Sequence, residues 1–153
     1  MTARMPNPAV AVGPGVIPSL LGVVDAVKSS GVPETTLDLV YLRVSQINGS
    51  SYNVVKHSAD LKAAGESDER VHAVASWRET PYFTPEERAA LALAEAATRL
   101  SDRVDPVSDE VWADAARYYG EQQLAGILVA TGLSNFWHRL LPTTRQPAVQ
   151  AVG

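Results

Sequence analysis

Gln46-Ile47-Asn48-Gly49-Ser50-Ser51-Tyr52-Asn53-Val54-Val55-Lys56-His57 joins two helical patterns across a tight turn and carries most of the polar chemistry of the chain. Asn48-Gly49 provides the stop, because glycine enters the left-handed conformation that closes a helix with no Cβ penalty. Ser50 or Ser51 provides the restart, since a hydroxyl can accept from a free amide of the next turn. Upstream, Leu37, Val40, Tyr41, Val44 and Ile47 mark one apolar stripe of a helix that opens at Pro33-Glu34. Downstream, Val54, Val55 and Leu61 alternate with polar positions until Gly65.

The same period continues outward on both sides. From Pro18, the residues Leu20, Val23, Val24 and Val27 recur at helical spacing and stop at Ser29-Ser30-Gly31. Ser67-Asp68 opens a short helix with Val71, Val74 and Ala75 inward, which ends near Trp77-Arg78-Glu79-Thr80-Pro81. Thr84-Pro85-Glu86-Glu87 combines a capping hydroxyl, a first-turn proline and a reciprocal glutamate, and so predicts a helix running to Leu100. Ser108-Asp109 starts another with Val111, Trp112, Ala115 and Tyr119, closed by Gly120. The last runs from Glu121 to Leu141 before Pro142, with Gly126 and Gly132 permitting close helix contact. No segment alternates with the period of a strand. The expectation is an all-α single domain of about seven helices over residues 16–145. Residues 1–15, with three prolines and two glycines, form an extended arm that is free or lies on a partner subunit, and 146–153 form a tail.

At 153 residues the chain is the size of one ordinary domain. A net charge of -4 gives no reason to expect nucleic acid or an anionic membrane as partner. The apolar runs break before the roughly 20 residues that a membrane span requires. Residues 9–21 are interrupted by Pro14 and Pro18 and do not read as a secretion signal, so a cytoplasmic location is expected. There is no cysteine, which excludes disulfides, thiolate ligands and cysteine nucleophiles from this chain.

The segment from Gln46 to His57 resembles the active-site stretch of the alkylhydroperoxidase D-like and carboxymuconolactone decarboxylase family. Redox-active members carry Cys-x-x-Cys-x-x-x-His preceded twelve residues earlier by Glu. On this chain the two cysteines fall on Ser50 and Asn53, the histidine on His57 and the glutamate on Asp38. The helix from Leu39 to Gly49, the run from Ala75 to Leu91 with its Trp77-Arg78-Glu79, and the ending Asn135-Phe136-Trp137-His138-Arg139-Leu140 are similar to family segments as well, so the likeness covers about residues 16–145. It implies a helical alkylhydroperoxidase-type fold and homo-oligomers, trimers or hexamers, with sites near subunit contacts.

The redox chemistry of such a site does not carry over. Sulfur cycles through sulfenic acid and disulfide, whereas a serine hydroxyl and an asparagine amide have no accessible oxidised state. What survives is a set suited to proton transfer. His57, Asp38 and Ser50 are the candidate catalytic residues, and Asn53, Tyr52 and Trp77 the candidate substrate contacts. Asn53 and His57 are neighbours on one helix face, where the amide could fix the imidazole tautomer. Ser50 precedes His57 by seven residues, about 10.5 Å along a helix axis, so a serine triad with Asp38 needs unusual geometry. The plain alternatives are Ser50 as a helix cap, Asp38 as a solvated carboxylate, and Trp77, Tyr82 and Phe83 as core or oligomer contacts. Three histidines, at 57, 72 and 138, show neither the pairing nor the carboxylate spacing of a zinc motif, and neither metal nor cofactor is expected.

Two functional classes follow. One is a cofactor-free acid/base enzyme acting on a small organic substrate. The other is a non-catalytic oligomeric binding or scaffold protein whose site has decayed. An enclosed cavity at His57 on which Asp38 and Ser50 converge separates the first from the second.

Overall fold

The capping and periodicity signals are realised as eight α-helices and one 3-10 helix, with no strand among the described residues, 2–148 of the computed structural model. They are α1 (Pro8–Ala11), α2 (Val16–Lys28), α3 (Glu34–Asn48), α4 (Ser51–Ala63), α5 (Asp68–Ala73), the 3-10 helix Val74–Glu79, α6 (Pro85–Thr98), α7 (Asp109–Tyr118) and α8 (Glu121–Leu140). The seven expected helices correspond to α2 through α8. Ser67 and Ser108 cap α5 and α7 as read. Thr84 and Glu87 form the expected capping box, in which the Glu87 amide donates to Thr84 Oγ1 at 3.3 Å and the Thr84 amide donates to Glu87 Oε2 at 2.9 Å. No helix among the described residues is long and apolar enough to cross a membrane.

The centre of the fold is α3, which packs against α4, α6 and α8. Leu37, Val40 and Val44 meet Val27, Leu93, Ile127 and Ala130 on one side. Leu39 and Leu42 meet Leu61, Val74, Trp77 and Leu91 on another. A helix covered on two sides buries more than one stripe, which is why Leu39 and Leu42 are enclosed although the periodicity marked a single face. Each such leucine or valine contributes roughly 1.5–3 kcal/mol through its burial. Polar groups lock the same helix. Glu95 of α6, almost fully buried, accepts from Arg43 Nε of α3 at 2.5 Å and from Trp77 Nε1 at 3.1 Å, and it also pairs with Arg78.

The arm departs from its expected form. Residues 8–11 make one helical turn, with Asn7 Oδ1 accepting from the Ala9 amide at 3.0 Å and Ala9 buried. The segment folds back on its own chain: the Arg4 amide donates to the Thr144 carbonyl at 2.9 Å, and Gln146 Nε2 donates to the Met5 carbonyl at 2.9 Å. The capping side chain of Asn7 before Pro8 is the local cause, since this pair is a helix start. Of the expected tail, residues 149–153 lie outside the described ones.

Four inward assignments also change. Val23, Val55 and Trp112 are exposed, and Ala73 is buried where Ala75 was expected. The last follows from the switch to 3-10 geometry at Val74, where three residues per turn rotate the buried face.

Of the two glycines read as close contacts, one is. A Cβ built on Gly126 would lie 2.5 Å from Ser30 Cβ, whereas one on Gly132 meets nothing within 4 Å. Gly126→Ala is therefore expected to destabilise by about 1–3 kcal/mol through overpacking of α2 and its following turn on α8. Gly132→Ala, in an open helix interior, is expected to stabilise by about 0.5–1 kcal/mol. Urea unfolding of both variants checks this, and equal effects of the two would contradict the packing.

Candidate active site

The turn read first in the sequence is what builds the site. Gly49 adopts φ 65°, and the Ser50 amide donates to the Ser45 carbonyl at 3.0 Å, so α4 folds back along α3. This brings Asp38 of α3 opposite His57 and Asp60 of α4, with one donor atom from each of the three within 4.8 Å of the others. Tyr41, one turn beyond Asp38, stacks on the His57 ring with centroids 5.1 Å apart and planes at 23°. These residues line a cavity of about 950 Å³, walled also by Leu20 and Val24 of α2, Tyr52 and Asn53 of α4, and Trp137 and His138 of α8. Its volume suits a small organic ligand.

Two of its wall residues carry buried polar atoms without a hydrogen-bond partner among the described residues, Tyr41 Oη and His57 Nδ1. His57 Nδ1 lies 3.3 Å from Asp60 Oδ2 but is not aligned for a hydrogen bond. An unsatisfied buried group costs about 1–3 kcal/mol, so two in one cavity wall are a feature to be explained by what the cavity takes.

Burial sets the protonation of the site. It pushes the Asp38 carboxyl up to about 6, with the Asp60 charge adding to the effect. It lowers His57 to about 4, helped by the positive charge of Lys56 and opposed by Asp60. Tyr41 is pushed up to about 12 by burial and then by Asp38, so its hydroxyl keeps its proton. At neutral pH the cavity therefore holds a neutral imidazole next to a carboxylate of raised proton affinity. That is a proton-transfer arrangement.

The neighbouring His138 is also neutral, lowered to about 4 by burial and then by Arg139. Its partners define its tautomer. Asn48 Nδ2 donates to Nδ1 at 2.9 Å, so Nε2 carries the proton and donates to Ser45 Oγ at 3.1 Å, while Ser45 donates to the Tyr41 carbonyl at 2.7 Å. The imidazole is held at both nitrogens and serves as a fixed wall.

Asp38, Tyr52, Asn53 and His57 of the expected set line the cavity. Ser50 and Trp77 do not. Ser50 is 1% exposed and makes no side-chain cap bond; it accepts from Asn53 Nδ2 at 3.1 Å and lines a second, smaller cavity of about 440 Å³ with Gly49, Tyr52 and Arg145. The serine triad is thus not assembled, because Ser50 belongs to the turn and His57 faces α3 two turns later. For the same reason the hydrogen bond of Asn53 goes to Ser50 and not to His57. Trp77 is buried with its indole N–H on Glu95, in the core on the other side of α3.

Tyr41, Asp60 and His138 also line the cavity; His138, beside Trp137 and Arg139, was a possible pocket residue in the sequence, whereas Tyr41 and Asp60 were not singled out. Spacing could have found two of them, since Tyr41 follows Asp38 by three residues and Asp60 follows His57 by three. Among the described residues, those able to hold a cation are Asp38, His57 and Asp60, a set that sequence spacing hides because two helices contribute to it. Lys56 Nζ lies 2.6 Å from Asp60 Oδ2 and supplies a positive charge there.

Residues 19–96 match the carboxymuconolactone decarboxylase family. Uncharacterized protein YdfG of Bacillus subtilis (strain 168) is 32% identical over 113 residues, which are 74% of this chain and 76% of that protein. Uncharacterized protein YnjA of Escherichia coli (strain K12) is 31% identical over 121 residues, covering 79% of this chain and 65% of that protein. Among solved structures, ATU0492 of Agrobacterium tumefaciens, a protein of unknown function proposed to be an antioxidant defence protein AhpD, superposes with a TM-score of 0.87 at 25% identity, over 97% of this chain and 99% of that one. A variant of the debrominase Bmp8 in complex with 2,3,4-tribromopyrrole shares the fold, with a TM-score of 0.80 at 19% identity over 93% and 75% of the two chains.

The two opposed shifts give a test in pH. Folded Asp38 holds its proton more tightly than the unfolded chain, so its contribution to stability is present below about 4 and lost as pH rises through about 6. Folded His57 holds its proton less tightly, so its contribution is present above 6.5 and lost as pH falls through about 4. Asp38→Asn removes the first and leaves the second. Its melting temperature at pH 7 is expected to rise by on the order of 2–4 °C, allowing for solvent screening of a part-exposed carboxyl, and its stability to climb more steeply from pH 4 to 6.5 than that of the natural chain. Thermal unfolding across pH 4–8 measures both. Superimposable profiles would contradict the assignment.

Proposed function

The chain belongs to the carboxymuconolactone decarboxylase family, and on that premise we propose that it is a cysteine-independent acid/base enzyme acting on a small organic substrate. One observation carries this reading: Asp38 and His57, from different helices, converge on a cavity of about 950 Å³ in which the imidazole is neutral and the carboxyl holds its proton up to about 6. Thiol peroxide reduction has no residue to run on, because the two family cysteine positions hold Ser50 and Asn53.

His57 accepts the substrate proton. Asp60, 3.3 Å from Nδ1, and Asp38 offset the positive charge that forms on the ring. The proton then passes from His57 to Asp38, whose proton affinity is the higher of the two, and Asp38 returns it to the product side. Neither step calls for a cofactor. Tyr52 and Asn53 contact the substrate at the mouth and wall of the cavity. Ser50 positions Asn53 and takes no part in covalent chemistry. A debrominase on the same fold holds 2,3,4-tribromopyrrole, which supports a small organic ligand. A cytoplasmic, homo-oligomeric protein belongs to the same reading. Val23 of α2 is exposed, and Leu21, also exposed, stands with Leu20 and Val24 in the cavity wall, so a second copy seated on α2 would shield the site.

A metabolite screen of the pure protein against His57→Ala tests the proposal. Loss of turnover by about 10²–10⁴-fold in the variant is expected for a lost general base. Identical turnover and binding profiles in the two proteins would remove the acid/base role and leave the non-catalytic reading in its place.

A further inference from the structure

The two unpartnered atoms, Tyr41 Oη and His57 Nδ1, belong to side chains stacked on each other in the wall of one cavity. Tyr41 retains its hydroxyl proton, so it offers a donor without an acceptor. The rest of the wall makes no provision for an anionic ligand. Of the cations lining it, Lys28 Nζ is 2.5 Å from Glu34 and Lys56 Nζ is 2.6 Å from Asp60, so both are neutralised in place. Asp38 adds a negative charge, which repels carboxylates and phosphates. Leu20, Leu21, Val24, Leu133, Trp137 and Leu141 make the remaining surface apolar.

Resting on the acid/base reading above, we propose that the substrate is an uncharged carbonyl compound bearing an acidic C–H, and that Tyr41 is the residue that binds its oxygen. The Tyr41 hydroxyl donates to the carbonyl oxygen in place of the partner it lacks. His57, stacked beside it, takes the proton from the adjacent carbon. The C–H bond breaks, an N–H bond forms, and the electron pair moves into an enolate whose oxygen Tyr41 continues to hold. Return of the proton to carbon from Asp38 or His57 closes the reaction with no net oxidation, so an isomerisation or proton exchange needs no further reactant.

Three probes of similar size separate the possibilities: cyclohexanone, its hydrocarbon isostere methylenecyclohexane, and benzoate. Their affinities are measured by ligand-observed NMR for the natural chain, Tyr41→Phe and His57→Ala. Cyclohexanone is expected to bind the natural chain roughly tenfold more tightly than methylenecyclohexane, and benzoate the least. Tyr41→Phe, which keeps the stacked ring, is expected to abolish the ketone preference while leaving the hydrocarbon unchanged. The comparison within the natural chain stands even should the variant fail to fold. Equal binding of ketone and isostere, a ketone preference that survives Tyr41→Phe, or preferred binding of benzoate would each overturn the proposal. Exchange of the ketone α-hydrogens into D2O, read in the same samples, separates the two claims. Ketone preference without His57-dependent exchange keeps the carbonyl site and removes the acid/base chemistry. His57-dependent exchange without Tyr41-dependent binding does the reverse.

Discussion

A buried carboxylate holds the architecture to which everything else is referred. Glu95 of α6 is 2% exposed and gathers Arg43 from α3 with Trp77 and Arg78 from the 3-10 helix. Burial alone would push its pKa up; the hydrogen bonds from Arg78, Arg43 and Trp77 overcome that and hold it below the ordinary carboxylate range. Such a cluster contributes little net stability against an apolar replacement, yet losing one member leaves a charge buried without compensation. Its effect is on register. With Arg43 fixed on Glu95, the rotation of α3 is set, and Asp38 and Tyr41 are presented to the opposite side, toward α4.

From that constraint the site follows by short steps. Gly49 reverses the chain, α4 returns along α3, and His57 arrives against Tyr41 and Asp38. Trp137 and His138, near the end of α8, close one wall, and the hydrogen bonds of His138 to Ser45 and Asn48 tie that wall to α3. The N-terminal arm, bonded to the turn after α8, brings Asn7 to the cavity rim. Apolar walls then do the electrostatic work: the same desolvation that raises Asp38 lowers His57, leaving a neutral imidazole beside a carboxyl of raised proton affinity.

The helices were legible because their signals are local. Capping residues, Pro85, Gly49 and the apolar spacing lie within one or two turns of the effects they produce. Asp38, Asn53 and His57 were legible through the family pattern, and all three line the cavity. What escaped depended on which side of a helix another element covers. Tyr41 was read as one more apolar position because its ring fits the stripe, although its three-residue interval from Asp38 placed it on the same helix face. Trp77 was read toward the site, although the twist of the 3-10 helix carries it to Glu95. Ser50 kept its place in the motif but not its contact, because seven residues of helix separate it from His57. Asp60 shares a helix face with His57, but its approach to Asp38 depends on how α4 lies against α3.

The proposed acid/base chemistry requires a neutral imidazole at His57 beside a carboxyl of raised pKa at Asp38. Nitrogen-15 NMR of the histidine side chains across pH 3–8 addresses it most directly. Ring shifts of neutral imidazole for His57 down to about pH 5, with a midpoint near 4, are the expected result. An imidazolium at pH 6–7, ion-paired with Asp38 and Asp60, would contradict the claim.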